Sequence, residues 1–186
     1  MNNDFTTFPY LETERLLLRP LTLKDAPAIY ELRSDPDIAR LTGRVPAKHI
    51  DEAVAFINKI KNLIADNASI YWAISYKEND DLIGTACFWN FDFDSSSIEI
   101  GYELLPKHQH KGIMNEAIKA LIKFAFEKIM AKTITAFPSG NNPASVRVLE
   151  KVGFQLTSGS YDNNHQQVEE LLTYTLSNEG GKLLSS

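Results

Sequence analysis

Gln109-His110-Lys111-Gly112-Ile113-Met114 lies between a strand-like run, Ile98-Glu99-Ile100-Gly101-Tyr102-Glu103-Leu104-Leu105, and a strongly helical one that begins near Asn115. A short loop with a glycine that feeds straight into a helix presents several backbone N–H groups with no intrahelical partner. With the positive end of the helix dipole, those donors form a site for an anion. Lys107, His108, His110 and Lys111 crowd the loop, so it is locally basic in a chain of net charge −5. Read by itself, the same stretch is equally a polar connection whose glycine permits a tight turn and whose bases face water.

A second segment, Asn142-Pro143-Ala144-Ser145-Val146-Arg147-Val148-Leu149-Glu150-Lys151-Val152-Gly153-Phe154, bears on that choice. Asparagine followed by proline reads as N-cap and first helical position, because proline has no N–H to lose there. Val146, Leu149 and Val152 recur at helical spacing, Lys151 sits at the negative end, and Gly153 is placed as the residue that stops the helix.

Farther out, the periodicity predicts a strand over Arg15–Leu21 and a helix started by Thr22-Leu23-Lys24-Asp25 that runs to about Arg33. Asp35-Pro36-Asp37 interrupts it, and a short turn follows through Arg40. A longer helix spans about Ala47–Ala65, with Ala53, Ile57, Ile60 and Ile64 on one stripe. Ile70–Tyr76 and Leu82–Phe91 read as strands joined at Asn79-Asp80-Asp81. Asp94–Ser97 turns the chain into the strand that precedes the loop. Ile118, Leu121, Ile122, Ala125, Phe126 and Ile129 then make a broad apolar helix face. A strand at Thr133–Phe137, the Asn142 helix, and strands near Phe154–Thr157 and Val168–Ser177 complete the order. Such an order implies a mixed sheet with helices on its faces.

At 186 residues, with 44% hydrophobic and 23% charged side chains, the chain reads as one soluble domain with a real core. Its acidic balance argues against general nucleic-acid or membrane-surface binding and suits a cationic partner such as an amine. The single cysteine, Cys87, leaves no disulfide framework and no multi-cysteine zinc site. His108 and His110, without a third ligand nearby, make a poor metal site, so no metal is expected and both rings are read as facing solvent. No apolar run approaches the roughly 20 residues that span a bilayer, and no signal-peptide stretch is recognised. The expectation is a cytoplasmic protein with tails at 1–10 and 178–186.

Taken together, the segments resemble the GNAT N-acetyltransferase superfamily, in its ribosomal-protein N-acetyltransferase-like subgroup. The loop resembles the family's acetyl-CoA pyrophosphate loop, and the Asn142–Phe154 stretch its Asn-x-x-Ser…Glu-Lys-x-Gly-Phe signature. Ile98-Glu99-Ile100-Gly101-Tyr102 and Thr13-Glu14-Arg15-Leu16-Leu17-Leu18-Arg19-Pro20-Leu21 also resemble the subgroup, so the likeness covers about Leu11 to Tyr174. It implies an α/β (mixed α+β) fold: a mixed, mostly antiparallel sheet of about seven strands flanked by about four helices, in a single domain over 1–186 with its core at about 11–177. It also implies an acyltransferase with acetyl-CoA as co-substrate and an amine-bearing acceptor, a protein N-terminus or a small molecule. It leaves room for a homodimer.

The same resemblance assigns roles. Backbone amides of Gln109, His110, Lys111, Gly112, Ile113, Met114 and Asn115 would bind the pyrophosphate. Met114 stands where the family usually has Gly or Ala. Asn142 would hydrogen-bond the pantetheine arm besides capping its helix, and Ser145 would protonate the departing thiolate. Amides from Ile100 to Leu104 would meet the thioester oxygen. The amine's proton goes to Glu99 or Glu103, which lie four apart on one strand and so share a face, with Tyr102 on the other. Glu99 is favoured because it sits in the Glu-Ile-Gly-Tyr motif; Glu169 and Glu170 are weaker candidates. Arg147 and Lys151 either touch the cofactor's phosphates or form a solvated face. Cys87 reads as a buried small side chain rather than a nucleophile. Acceptor choice is expected in the Arg33–Ala65 region and the strand-end loops.

Two other readings compete. A nucleotide-binding protein would need phosphate-loop or dinucleotide patterns that the chain lacks. A non-catalytic coenzyme A-binding sensor or interaction module would keep the loop without turnover.

Overall fold

The computed structural model describes residues 1–158, 165 and 167–178. Eight strands form one sheet in the order β1-β2-β3-β4-β5-β6-β8-β7. The strands are β1 (Leu11–Glu12), β2 (Leu16–Pro20), β3 (Ile70–Tyr76), β4 (Asn79–Asp92), β5 (Ser97–Leu104), β6 (Thr133–Ala136), β7 (Gln155–Leu156) and β8 (Tyr174–Ser177). Among the described strands, β5 and β6 are the one parallel pair. The mostly antiparallel sheet is as expected; the strand beyond about seven is β1, two residues long and too short to leave a period-2 signal.

Five α-helices cover the sheet: α1 (Ala26–Ser34), α2 (Pro36–Leu41), α3 (Ile50–Ala65), α4 (Ile113–Phe124) and α5 (Pro143–Lys151). The one beyond about four is α2, read from sequence as a turn. Asp35 makes it a helix by accepting from both Asp37 N and Ile38 N at 2.9 Å, with Pro36 at the first helical position. The Thr22–Asp25 pattern forms as expected: Thr22 N donates to Asp25 Oδ2 at 2.7 Å, over a 3₁₀ turn that leads into α1.

Alternation along the strands separates two cores. On one face Trp72, Ile74, Phe88, Ile98 and Ile100 pack against Ile113, Ala117, Ile118, Leu121 and Leu149 of α4 and α5. Each such fully buried side chain contributes roughly 1.5–3 kcal/mol of hydrophobic stabilisation. On the other face Ala73, Leu82 and Leu105 pack against Ile29 and Leu32 of α1 and Ala53, Ile57 and Ile60 of α3. The apolar face of α4 continues through a π-helical turn, Ala125–Ile129, that keeps Ala125, Phe126 and Ile129 buried.

Some boundaries differ from expectation for identifiable reasons. Residues 1–10 are not a loose tail. Phe5 is buried, Asn2 N donates to Ile129 O, and the Trp72 indole donates to Pro9 O at 2.7 Å. The polar run at Asn79 belongs to β4, with Asn79 opposite Tyr76, so the turn falls at Lys77-Glu78. Asp80 is held there by Arg19, which takes its backbone oxygen and its carboxylate at 2.5 Å. The last strand is shorter than Val168–Ser177: before Tyr174 it makes one bridge, Leu171 to Ser139. The expected tail beyond Asn178 lies outside the described residues. Among those described, no helix is long and apolar enough to cross a membrane.

Candidate active site

Strands β5 and β6 are in register at Ser97/Thr133, Ile98/Ile134 and Glu99/Thr135, and then part. Beyond Glu99 one edge of β5 has no strand neighbour among the described residues, so alternate backbone N–H and C=O groups from Ile100 onward face a gap. The gap opens a passage through the sheet between its two faces.

On the α4/α5 side the passage meets a cavity of about 460 Å³. The loop before α4 forms its rim. His110 (φ 61) and Gly112 (φ 74) both take the left-handed conformation, and Glu116 N makes the first intrahelical bond, to Gly112 O. The N–H groups of Ile113, Met114 and Asn115 are therefore open, in the concave arrangement that holds an anion. A brace that the sequence reading missed supports the loop. Glu116 accepts from Thr13 Oγ1 (2.5 Å), Arg15 N (2.9 Å) and Arg15 Nε (2.7 Å), and Arg15 Nη1 reaches Lys111 O at 3.1 Å. Glu116 could have been suspected from its place in the first turn of a helix beside an anion loop; its partner 101 residues away could not.

Leu104, Gln109, His110, Gly112, Ile113, Met114, Asn115, Asn142 and Ser145 all line this cavity, as do Arg147 and Lys151. Lys111 does not: its ammonium turns back onto Lys107 O at 2.9 Å. Asn115 Oδ1 is buried in the cavity wall with no hydrogen-bond partner among the described residues. The open amides and that orphan acceptor fit a ligand with an anionic end and an amide-bearing arm. His108 is not solvent-facing as expected, since its ring tilts against Tyr76 at 5.9 Å and its Nδ1 is buried.

At the far end stands Ser145. Asn142 Oδ1 accepts from Ser145 N at 3.1 Å, so Asn142 caps α5 and orients the serine. The Ser145 hydroxyl lies 2.7 Å from the Tyr102 hydroxyl. Burial pushes the Tyr102 phenol well above its ordinary value, so it stays neutral.

On the α1/α3 side is a second cavity, of about 440 Å³. Its floor is the sheet, with Tyr71, Thr85, Cys87, Trp89, Glu99, Gly101 and Glu103. Its walls come from Arg33, Arg44, Phe56, Lys59, Ile60 and Leu63, within the region expected to choose the acceptor. The two cavities share Leu41, Thr42, Tyr102, Glu103, Asn142 and Ser145.

The two strand carboxylates have different surroundings. Both oxygens of Glu103 are taken by Arg44, which bridges Oε1 through Nη1 and Oε2 through Nη2 at 3.1 Å and also donates to Leu32 O. Glu99 is 3% exposed, and its Oε1 accepts from His165 Nε2 at 2.5 Å. Among the described residues, none hydrogen-bonds its second oxygen. The His165 ring packs between Trp89 (5.9 Å) and Phe137 (5.4 Å). His165 was not singled out from the sequence, because it lies in an irregular stretch 66 residues from its partner. Glu169 and Glu170 are exposed and line neither cavity. Burial, with Glu99 and Glu103 nearby, pushes the Cys87 thiol up to about 12.

Comparison with known proteins agrees with this geometry. Residues 15–155 match the profile of the acetyltransferase (GNAT) domain. The chain is 34% identical over 148 residues to the uncharacterized N-acetyltransferase YoaA of Bacillus subtilis (strain 168), covering 80% of this chain and 84% of that one. Among solved structures, the spermidine N-acetyltransferase from Vibrio cholerae in complex with CoA and spermine superposes with a TM-score of 0.73 at 22% identity, over 87% of this chain and 95% of that one. RimL, a ribosomal L7/L12 alpha-N-protein acetyltransferase in complex with coenzyme A, gives 0.77 at 18% identity, over 91% and 98%.

Proposed function

The chain belongs to the GNAT acetyltransferase family and is an N-acetyltransferase, and from that premise we propose direct transfer from acetyl-CoA to a primary amine within a ternary complex. The observation that carries this reading is the meeting of the two cavities at Tyr102, Asn142 and Ser145, where β5 and β6 part. Two ligands entering from opposite faces of the sheet would touch where those shared residues stand.

Acetyl-CoA, bound in the α4/α5 cavity, supplies the thioester and a thiolate leaving group. The open amides at Gly112–Asn115 hold its phosphates. Open N–H groups on the free edge of β5 are placed to stabilise an oxyanion. Tyr102 donates to Ser145 Oγ, which leaves the serine's own hydrogen free to go to the leaving sulfur. Glu99, with Oε1 fixed by His165, takes the amine's proton on its second oxygen, directly or through one water. Glu103 is neutralised by Arg44 and serves to pin that arginine's segment to β5. Cys87 stays protonated, as direct transfer requires, and a covalent acetyl-cysteine has no activated nucleophile to form on. The acceptors of like-folded enzymes include a polyamine and a ribosomal protein; a protein N-terminus or a small amine both suit the second cavity.

The test is the melting temperature with saturating acetyl-CoA, with ATP and NADH as controls, followed by thiol release with a panel of amines. Ligand at 100 times its dissociation constant adds about 2.7 kcal/mol, so the melting temperature should rise by roughly 5–10 °C with acetyl-CoA alone. A shift without thiol release from any amine would favour a sensor over an enzyme. No shift would remove the cofactor assignment.

A further inference from the structure

The acceptor cavity has a cation for which the transfer chemistry has no use. Arg33, in the last turn of α1, lays its guanidinium over the Phe56 ring, 4.1 Å from the centroid. Phe56 in turn meets Tyr71 edge-on at 5.7 Å, and Tyr71 donates to Thr85 Oγ1 at 3.0 Å. The stack fixes the plane of the guanidinium in the cavity wall.

Among the described residues, the Arg33 side chain has no ion-pair or hydrogen-bond partner. The nearby carboxylate, Glu103, is already taken on both oxygens by Arg44. Burial and the like charge of Arg44 both depress the Arg33 pKa, the mark of a cation short of a counter-ion. Lys59 lines the same cavity. Two cations, Arg33 and Arg44, and one carboxylate gather at the Glu103 end, while the other end has the Glu99–His165 pair. Four strand residues, about 13 Å, separate Glu99 from Glu103. The cavity is therefore polarised along its length, negative where the amine is to lose its proton and positive beyond it.

We propose that Arg33, stacked on Phe56, is a subsite for a carboxylate on the acceptor, so that the acceptor is an amine bearing an acidic group and not a polyamine. This rests on the reading of the second cavity as the acceptor site. An extended acceptor with its amine toward Glu99 places its carboxylate toward Arg33, where the flat guanidinium can donate two parallel hydrogen bonds. The same chemistry is offered by a free acidic amino acid and by a peptide with an acidic residue near its N-terminus.

The experiment is calorimetric binding to the protein saturated with coenzyme A, using pairs matched in shape: glutamate against glutamine, and an Asp-Ala peptide against Asn-Ala, with putrescine as the cationic control. The acidic member of at least one pair should bind roughly 10–100-fold tighter than its amide, the range of a charge-assisted hydrogen bond. Which pair shows the difference distinguishes a free amino acid from a peptide N-terminus. Arg33→Gln should abolish the difference and leave acetyl-CoA affinity unchanged. Equal binding of acid and amide, preference for putrescine, binding of none, or a difference that survives in Arg33→Gln would each overturn the proposal. The wild-type comparison decides it even if Arg33→Gln fails to fold. Acid-selective binding without thiol release would keep the subsite and count instead against the transfer reading.

Discussion

The hydroxyls of Tyr102 and Ser145 meet at 2.7 Å, one from strand β5 and the other from helix α5. Neither element touches the other by regular hydrogen bonding, and the contact spans the gap left where β5 and β6 diverge. It ties the acid of the proposed reaction to the strand whose open edge is to face the thioester.

Ser145→Ala should therefore lower kcat by roughly 100-fold while acetyl-CoA affinity barely moves, since a general acid acts in the transition state and not in ground-state binding. Adding Tyr102→Phe to that variant should cost little more, because the phenol acts through the serine. Steady-state kinetics on the two single variants and the double variant checks this. Fully additive losses would mean that Tyr102 has a separate role.

Glu99→Gln should lose at least roughly 100-fold in kcat and keep acetyl-CoA affinity. Wild-type activity should rise with pH as the acceptor amine reaches its neutral form. A flat rate from mildly acidic to mildly alkaline pH would count against attack by a neutral amine.

Gly112 sits at φ 74, where a β-branched side chain is strained, although its Cβ would find ordinary room, 3.7 Å from Arg15 Nη2. Gly112→Val should cost about 1–2 kcal/mol of stability and weaken acetyl-CoA by at least roughly tenfold as the open amides rotate out of place. Calorimetry on a folded variant that showed full affinity would end the assignment of this loop to the phosphates.

Burial, then Lys111 and Lys107, hold the His108 imidazole below its ordinary value of 6.5. As pH falls, the unfolded chain takes up the proton before the folded one does, so stability is full above about pH 6.5 and declines below it. Melting curves of the wild type and His108→Gln should differ most near neutral pH and converge, or cross, toward pH 5. An unchanged difference across that range would refute the linkage.

The guanidinium of Arg19 and the carboxylate of Asp25 form a buried pair at 2.8 and 3.0 Å, and the same carboxylate caps the turn into α1 through Thr22 N. Removing one partner of a buried pair leaves an uncompensated charge, so Asp25→Ala should cost about 3–5 kcal/mol. For a domain this size that lowers the melting temperature by roughly 6–20 °C. Asp25→Asn, which keeps one capping oxygen, should lose less.

Much of this molecule was legible from local chemistry alone. The period-2 alternation of β5 put Glu99 and Glu103 on one face and Tyr102 on the other. The Asn142-Pro143 cap and Gly153 bounded α5 within a residue, and Gly112 was correctly read as the hinge between strand and helix, each because a local backbone preference expresses itself within one turn of chain. What could not be read is what lies far apart in sequence: the Glu116 brace on Arg15, the capture of Glu103 by Arg44, the closure of His165 over Glu99, and the ordering of residues 1–10 by Phe5 and Pro9.

The division has one physical cause. Periodicity, capping and turn chemistry are properties of neighbours along the chain, and they sufficed for a mixed sheet with helices on its faces and for the serine at the start of α5, while the choice of an anion loop over a plain turn came from the family resemblance. Charge state, shielding and reach depend on which groups the packed sheet brings together. Only the tertiary structure could separate two similar glutamates on one strand, by giving Glu103 an arginine that holds both oxygens and Glu99 a histidine that holds one. Only the divergence of β5 from β6 decided that their two faces open onto a single passage.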